Sequence, residues 1–376
     1  GRMEQETSGG LNVLAMEPYY GGSHRAFIDT LIRHSRHRFT LLTLPARKWK
    51  WRMRGAAIWF AETLAARPPS DVDLIFATDM MNIADLRALL PPTLRACPIV
   101  CYFHENQLTY PLVDEADRDY QYGFTNITSC LASDAVWFNS ETHRAAFLRG
   151  ATHLLRKMPD HVPTGVLKDI ERKSRVCLPL VEPPPSPPSD RTRSRPRTIL
   201  WNHRWEYDKN PEALFDVLSR LDADGVDFRL AILGESFREI PPAFVRILNC
   251  LESKIVHMGH AKDRADYWRV LRDADVVVST AIQENFGISI VEAILSGCVP
   301  LLPNRLSYPE LIPDARRGDY LYDEPAELQS RLSSFLTARE PLALDYELID
   351  GLVSSCVADR CISRYDELLD SLSATR

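Results

Sequence analysis

No stretch of this 376-residue chain approaches the roughly 18 consecutive apolar residues of a membrane span. The first apolar run, Leu11–Met16, is too short for the core of a secretion signal and has no basic flank, so it reads as a first strand. The eight cysteines include no Cys-x-x-Cys pair, which excludes the usual zinc spacing and a disulfide framework and fits a reducing cytosol. Acids are absent between Asp29 and Glu62. That interval carries eight basic side chains (Arg33, Arg36, Arg38, Arg47, Lys48, Lys50, Arg52, Arg54), with Trp49, Trp51 and Trp59 interleaved.

What is present describes a globular α/β protein. With 45% apolar and 26% charged residues, the chain is long enough for two domains, each with its own core. Residues 1–180 hold 22 basic and 19 acidic side chains, against 23 and 32 in residues 181–376. The proline-rich segment around 178–188, with Arg191, Arg193, Arg195 and Arg197 after it, cannot continue a helix. The expected division is 1–180, a linker over 181–197, and 198–358, with a last helix from 359 returning to the first domain; residues 1–10 read as a disordered start.

The most informative stretch is Glu284-Asn285-Phe286-Gly287-Ile288-Ser289-Ile290-Val291-Glu292. It follows a buried strand, Ala274–Ser279, and opens a helix. The first-turn N–H groups of Phe286, Gly287 and Ile288 then lack partners and favour an anion. Gly287 permits close approach to the backbone. This combination suits a nucleotide-sugar: the helix start for the diphosphate, Glu284 for sugar hydroxyls, and Glu292, two turns on, for the ribose.

Other strand ends offer further polar groups. Strand Leu11–Met16 runs into Gly21-Gly22-Ser23-His24 and a helix, the opening of a Rossmann-like half. The third strand, Val72–Ala77, ends at Asp79 and Asn82, which serve either as acceptor contacts or as a helix cap. The fourth, Pro98–Phe103, delivers His104-Glu105-Asn106-Gln107 and then Tyr110; polar side chains so placed must face a cleft or pair with one another. In the second half, strand Thr198–Trp201 leads to Arg204 and Lys209 before a helix at Pro211, where phosphate is favoured. A turn at Gly234-Glu235-Ser236-Phe237 and a strand ending at Met258-Gly259 follow. The Lys48-Trp49-Lys50 segment reads either as a nucleic-acid contact or as a basic loop whose tryptophans turn into the core.

The Glu284–Glu292 string resembles the Glu-x7-Glu motif of retaining glycosyltransferases, the large family that includes glycogen and sucrose synthases. The resemblance implies a GT-B fold, two facing Rossmann-like domains with a deep interdomain cleft. It implies that Arg204 and Lys209 grip the donor diphosphate, that His104 contacts the donor sugar, and that the nucleobase packs on Met258 and Gly259. Glu17-Pro18-Tyr19-Tyr20-Gly21-Gly22-Ser23-His24, Thr78-Asp79-Met80-Met81-Asn82, His104-Glu105-Asn106-Gln107-Leu108-Thr109-Tyr110-Pro111, Gln121-Tyr122-Gly123-Phe124 and Trp201-Asn202-His203-Arg204-Trp205-Glu206 look like the tRNA-queuosine mannosyltransferase family. That likeness implies a cytoplasmic enzyme moving mannose from GDP-mannose to the cyclopentenediol of queuosine in the tRNA-Asp anticodon. It uses no cofactor, bound metal, membrane or obligate protein partner. The implied acceptor contacts are Ser23, His24, Asp79, Asn82, Glu105, Asn106, Gln107, Tyr110, Lys48, Trp49 and Lys50. A transferase acting on a small metabolite or glycan, an epimerase sharing the fold, and a catalytically silent RNA-binding relative are the alternatives.

Overall fold

The structure, a computed structural model, describes residues 9–190, 196–234 and 239–374. Residues 1–8 of the expected disordered start, Arg191, Arg193 and Arg195, and the turn residues Glu235, Ser236 and Phe237 lie outside the described residues. The chain forms two compact units. Of the described residues, the first comprises 9–110, 116–180 and 358–374, and the second 111–115, 181–190, 196–234 and 239–357. The described part of the expected linker, 181–190 and 196–197, thus falls within the second unit.

The first unit is built on six parallel strands: β1 (Asn12–Tyr20), β2 (Arg38–Pro45), β3 (Leu74–Thr78), β4 (Ile99–Phe103), β5 (Ala135–Phe138) and β6 (Ser174–Val176). Their order is β2-β1-β3-β4-β5-β6. Every residue of β3, β4 and β5 is buried, as expected for parallel strands covered on both faces. One face packs Phe60, Leu86, Ile127 and Phe147. The other takes Phe27 and Leu31 of helix Gly22–His34 together with Ala358, Cys361, Tyr365 and Leu369 of the last helix, Ala358–Ser373. The Tyr365 hydroxyl donates to the Leu178 carbonyl, tying that helix to the end of the unit's last strand segment.

The second unit repeats the plan with β7 (Thr198–Trp201), β8 (Arg229–Leu233), β9 (Ile255–Gly259), β10 (Val276–Val278), β11 (Val299–Pro303) and β12 (Leu321–Tyr322). All pairs are parallel, in the order β12-β11-β10-β7-β8-β9. In each sheet the chain starts in the middle and then reverses direction, at β1/β3 in the first unit and at β7/β10 in the second. Open α/β sheets bind ligands beyond the carboxyl ends of their strands at such reversals.

Three local features differ from the sequence reading. β1 continues through Tyr20 instead of stopping at Met16, and its register against β2 slips between Glu17 and Tyr20, where Pro18 has no N–H to donate. The helix expected from Gly55 begins at Trp49: Lys48 adopts a left-handed φ of 55°, and the next eighteen residues, Trp49–Ala66, are helical. Gly55 marks no helix start, because a Cβ there would lie 2.6 Å from the Trp51 indole that rests over it. The short edge strands β6 and β12 are too brief to leave a periodic signal.

Candidate active site

At the first unit's reversal point, the ends of β1, β3 and β4 bring together Glu17, Asp79, His104 and Glu105, and the following helix adds His24. His24 is clamped on both ring nitrogens: Nδ1 lies 3.2 Å from Glu17 Oε1 and Nε2 lies 3.2 Å from Glu105 Oε1. Glu17 is fully buried; its Oε1 also accepts from the Tyr19 N–H at 2.9 Å, and its Oε2 has no hydrogen-bond partner among the described residues. Burial by itself would lower the His24 pKa, but the Glu17 and Glu105 carboxylates outweigh it and hold His24 well above its ordinary value. The two carboxylates therefore favour the imidazolium form of His24.

The His104 ring lies 4.1 Å from the His24 ring, centroid to centroid. Burial, then the positive His24, push His104 well below its ordinary value, so it is a neutral imidazole. Its backbone is fixed from both sides: the N–H donates to Asp79 Oδ1 at 2.9 Å, and the carbonyl accepts from Asn139 Nδ2 at 3.1 Å. Burial, reinforced by Glu105, raises the Asp79 carboxyl well above the carboxylate range. Glu17, His24 and His104 also present ligand atoms within 4.8 Å of one another, a spacing open to a cation. The positive charge this geometry already supplies there is the His24 imidazolium.

Several of the predicted contact residues have structural tasks as well. Asn82 caps the following helix, accepting from the Asp85 N–H at 3.0 Å. Asn106 is buried and accepts from the Leu108 and Thr109 N–H groups, each at 3.0 Å, in a tight turn. Gln107 and Tyr110 are half-buried, with their carbonyls held by Arg118. Gly21 precedes the helix in an extended conformation against Ala46; Gly22 takes a φ of 52° beside open space, and Ser23 is exposed. Trp49 packs edge-on to Tyr122, with Lys50 over its ring, while Lys48 is exposed.

In the second unit the ends of β7 and β10 carry opposite charges. Lys209 Nζ lies 3.1 Å from Glu284 Oε2, 3.3 Å from Asp208 Oδ2 and 2.9 Å from the Gln283 carbonyl. Arg204 is half-exposed and reaches Glu206 at 3.2 Å. Burial by itself would raise the Glu284 carboxyl, yet Lys209, followed by His203, keeps it below the ordinary value. Glu284 Oε1 accepts from the Asn285 N–H at 3.2 Å, which aims the carboxylate across the turn before the helix.

That helix spans Ile288–Leu295, a later start than expected. Gly287 takes a φ of 99° and caps it, so the unpaired first-turn N–H groups belong to Ile288, Ser289 and Ile290 rather than to Phe286, which is buried in the core. Glu292 is held by Tyr267, whose hydroxyl donates to Oε2 at 2.6 Å, and by Arg264, which reaches Oε1 at 2.5 Å. Both partners escaped sequence reasoning because they sit on the helix Arg264–Asp273, where nothing local marks them. At the neighbouring strand ends, Gly234 has a φ of 113° and donates to the Gly259 carbonyl at 3.2 Å; Gly259, after Met258, has a φ of 109° and open space around it. Glu17, Asp208 and His203 were also missed as site residues: Asp208 pairs with the adjacent Lys209, Glu17 with His24 one turn into the next helix, and His203 with Ser289 far along the chain.

The buried histidines set a pH dependence. Burial lowers His203 to about 4 and His143 to about 3, from an ordinary 6.5. Their folded forms bind fewer protons than the unfolded chain, so their contribution is complete above about pH 6.5 and is lost as pH falls toward 4. His24 has the opposite sign, contributing below its unfolded value and losing that contribution as pH rises through its folded one. Denaturant unfolding at pH 7 and 4.5 should show a marked acid loss that His203→Asn reduces; an unchanged acid limb in the variant contradicts a buried neutral His203.

Comparison with known proteins accords with this geometry. The "tRNA-queuosine alpha-mannosyltransferase N-terminal" family matches residues 12–181, and the "Glycosyl transferases group 1" family matches residues 186–345. A Drosophila melanogaster protein named tRNA-queuosine alpha-mannosyltransferase is 38% identical over 336 residues, covering 86% of each chain. Among solved structures, Anabaena Alr3699/HepE in complex with UDP superimposes with a TM-score of 0.66 at 14% identity, covering 96% of this chain and 100% of that one. A UDP-forming trehalose-phosphate synthase from Burkholderia xenovorans gives 0.65 at 14% identity, covering 97% and 99%. These two likenesses speak for the GT-B fold alone.

Proposed function

The chain belongs to the tRNA-queuosine alpha-mannosyltransferase family and is a glycosyltransferase, and on that premise we propose that it moves mannose from GDP-mannose to the cyclopentenediol of queuosine at the wobble position of tRNA-Asp, in the cytoplasm. The observation that carries the reading is the difference between the two reversal points. The second gathers Arg204, Lys209 and a helix start, the groups an anionic diphosphate needs. The first gathers the Glu17 and Glu105 carboxylates around His24, hydrogen-bond acceptors that suit a polyol.

In this reading Arg204, Lys209 and the N–H groups at Ile288–Ile290 stabilise the departing GDP, where negative charge grows. Glu284, kept ionised by Lys209, accepts hydrogen bonds from the sugar hydroxyls. Glu292, oriented by Arg264 and Tyr267, takes the ribose, while Met258 and Gly259 flank the base. Neutral His104 serves the sugar as a hydrogen-bonding group. Attack comes from the face the diphosphate leaves, with retention, and the leaving phosphate takes the acceptor's proton. The diphosphate charge is met by these side chains and backbone donors, without a bound metal. Among the described residues no helix is long and apolar enough to cross a membrane.

The tRNA contact lies along the helix Trp49–Ala66. Its buried side carries Met53, Ala56, Ala57 and Phe60, which leaves Trp51 (63% exposed), Trp59 (55% exposed) and Arg54 outward, with exposed Arg47, Lys48 and Lys50 at its start. Exposed indoles beside cations fit bases and phosphates better than they fit water.

Incubation with GDP-mannose and queuosine-containing tRNA, followed by mass spectrometry of the anticodon nucleosides, should show one hexose added to queuosine. GDP release without tRNA, or transfer only to a small acceptor, overturns the reading. The apparent affinity for tRNA should fall steeply with salt, with a log–log slope that grows with the number of phosphates contacted. Replacing Lys48 and Lys50 by Ala should flatten that slope, and Trp51→Ala should weaken binding by ~1–3 kcal/mol.

A further inference from the structure

Several arginines of the first unit are paired with carboxylates: Arg25 with Asp29, Arg87 with Asp134, Arg144 with Glu141 and Arg172 with Asp169. The helix Glu141–Arg156 breaks this habit. Its buried side carries His143, Phe147, Ala151 and Leu154. On the opposite side Arg149, His153 and Arg156 are exposed, at the i, i+4, i+7 spacing of a single helical stripe. Among the described residues none of these three has a carboxylate partner. No acid occurs along the chain between Glu141 and Asp160. Arg156 lies in the last turn, where the helix dipole favours a cation, but Arg149 lies two turns back, beyond that field. Capping of the helix end therefore does not account for the stripe.

The stripe is joined to the tryptophan-bearing helix Trp49–Ala66. Lys157, just past the helix, stands 5.0 Å over the Tyr120 ring, with Nζ 3.0 Å from its hydroxyl. Tyr120 and Tyr122 open the helix Tyr120–Ala132. Tyr122 packs on Trp49 at 5.0 Å and lies under the Arg54 guanidinium at 5.4 Å. Cations and rings thus run from one helix to the other. Asp117 and Asp119 precede Tyr120, and the Asp119 carboxylate accepts from the Gln121 N–H.

The two ends of this run differ in chemistry. Exposed Trp51 and Trp59 suit unstacked bases. On Glu141–Arg156 the one phenyl or indole ring, Phe147, is buried, and the outer face offers charge alone. An RNA duplex hides its base faces and presents phosphates, which call for cations without rings. Arg149 and Arg156 are about 10 Å apart along the helix axis, enough to meet more than one phosphate of a strand. Resting on the tRNA reading above, we infer that Arg149, His153 and Arg156 hold the backbone of the RNA stem beside the anticodon loop, while Trp49–Ala66 takes the loop itself. The partner of the stripe is double-stranded RNA, gripped through its phosphates and not through its sequence.

The test is fluorescence anisotropy on the full chain with two unmodified RNA probes, an anticodon stem–loop and the same loop as a single strand without its stem. The double variant Arg149→Ala, Arg156→Ala should bind the stem–loop more weakly on the order of tenfold, the loss of two charge-assisted contacts. Its salt dependence should be shallower than that of the wild type, and its affinity for the single strand and its melting temperature unchanged. With a queuosine-bearing stem–loop and GDP-mannose, acceptor KM should rise by the same factor at constant kcat. Arg172→Ala, an exposed cation already paired with Asp169, is the control and should change nothing. Equal losses on both probes, an unaltered salt dependence, or the same loss from Arg172→Ala overturns the stem assignment. A wild type that binds neither probe overturns the tRNA reading together with it. Stem binding that behaves as expected without any sugar transfer leaves the stripe standing and overturns only the transferase reading.

Discussion

Arg204→Ala should lower turnover by about 10²–10³-fold, the usual consequence of removing one preorganised charge from a developing anion, while the melting temperature stays close to wild type. Its side chain is 52% exposed and its pairings with Glu206 and Asp208, at 3.2 and 3.9 Å, are of the solvent-screened kind that contributes little to stability. Lys209→Ala should lower turnover at least as far but also destabilise the second unit. Lys209 is 8% exposed and is the shared counterion of Asp208 and Glu284. Removing one partner of a buried pair leaves uncompensated charge, typically at ~3–5 kcal/mol. The two variants thus separate chemistry from folding, with kcat and thermal unfolding read on the same preparations. Near-normal rates in both would refute the diphosphate role.

Gly234→Ala is expected to be the most damaging small substitution in the second unit. A Cβ at that position would lie 2.2 Å from the His203 carbonyl oxygen, which is backbone and cannot swing away, and the φ of 113° is one that side chains rarely adopt. Strain of this kind costs ~1–3 kcal/mol before the clash is counted. Relief requires β7 and β8 to part at their ends, which carries His203, and with it Arg204, away from Ser289 at the helix start. Melting temperature should fall by several degrees and GDP-mannose affinity by tenfold or more. Gly259→Ala and Gly225→Ala are the matched controls: both have positive φ but open space, so they carry the strain without the collision. A Gly234→Ala variant that melts with these controls and binds donor normally would show that the close approach to His203 has no consequence.

Much of the architecture was legible before any coordinates. Val276–Val278 and Thr198–Trp201 are apolar runs bounded by polar turns, and a buried parallel strand leaves that signature. Pro211 announced a helix start because a missing N–H fits the first turn of a helix. Glu284, Arg204 and Lys209 were visible because strand end, turn and helix start follow one another within a few residues. Asn82 was legible either as a ligand contact or as a helix cap, and Asn106 as a polar group at a strand end but not as part of a turn, since the same amide serves a ligand or a backbone N–H equally well.

The sequence alone therefore determined the order of strands and helices, the polar groups at each strand end, and the family. Those properties depend on residues near one another along the chain, where periodicity and turn chemistry act. Tertiary structure alone decided which charges meet: Glu17 with His24 and Glu105, Lys209 with Glu284, Arg264 and Tyr267 with Glu292. It also decided that Trp51 faces outward while Arg52 is buried. Those pairings join segments up to 81 residues apart. Their energies arise from burial and distance, and neither exists until the two sheets have formed.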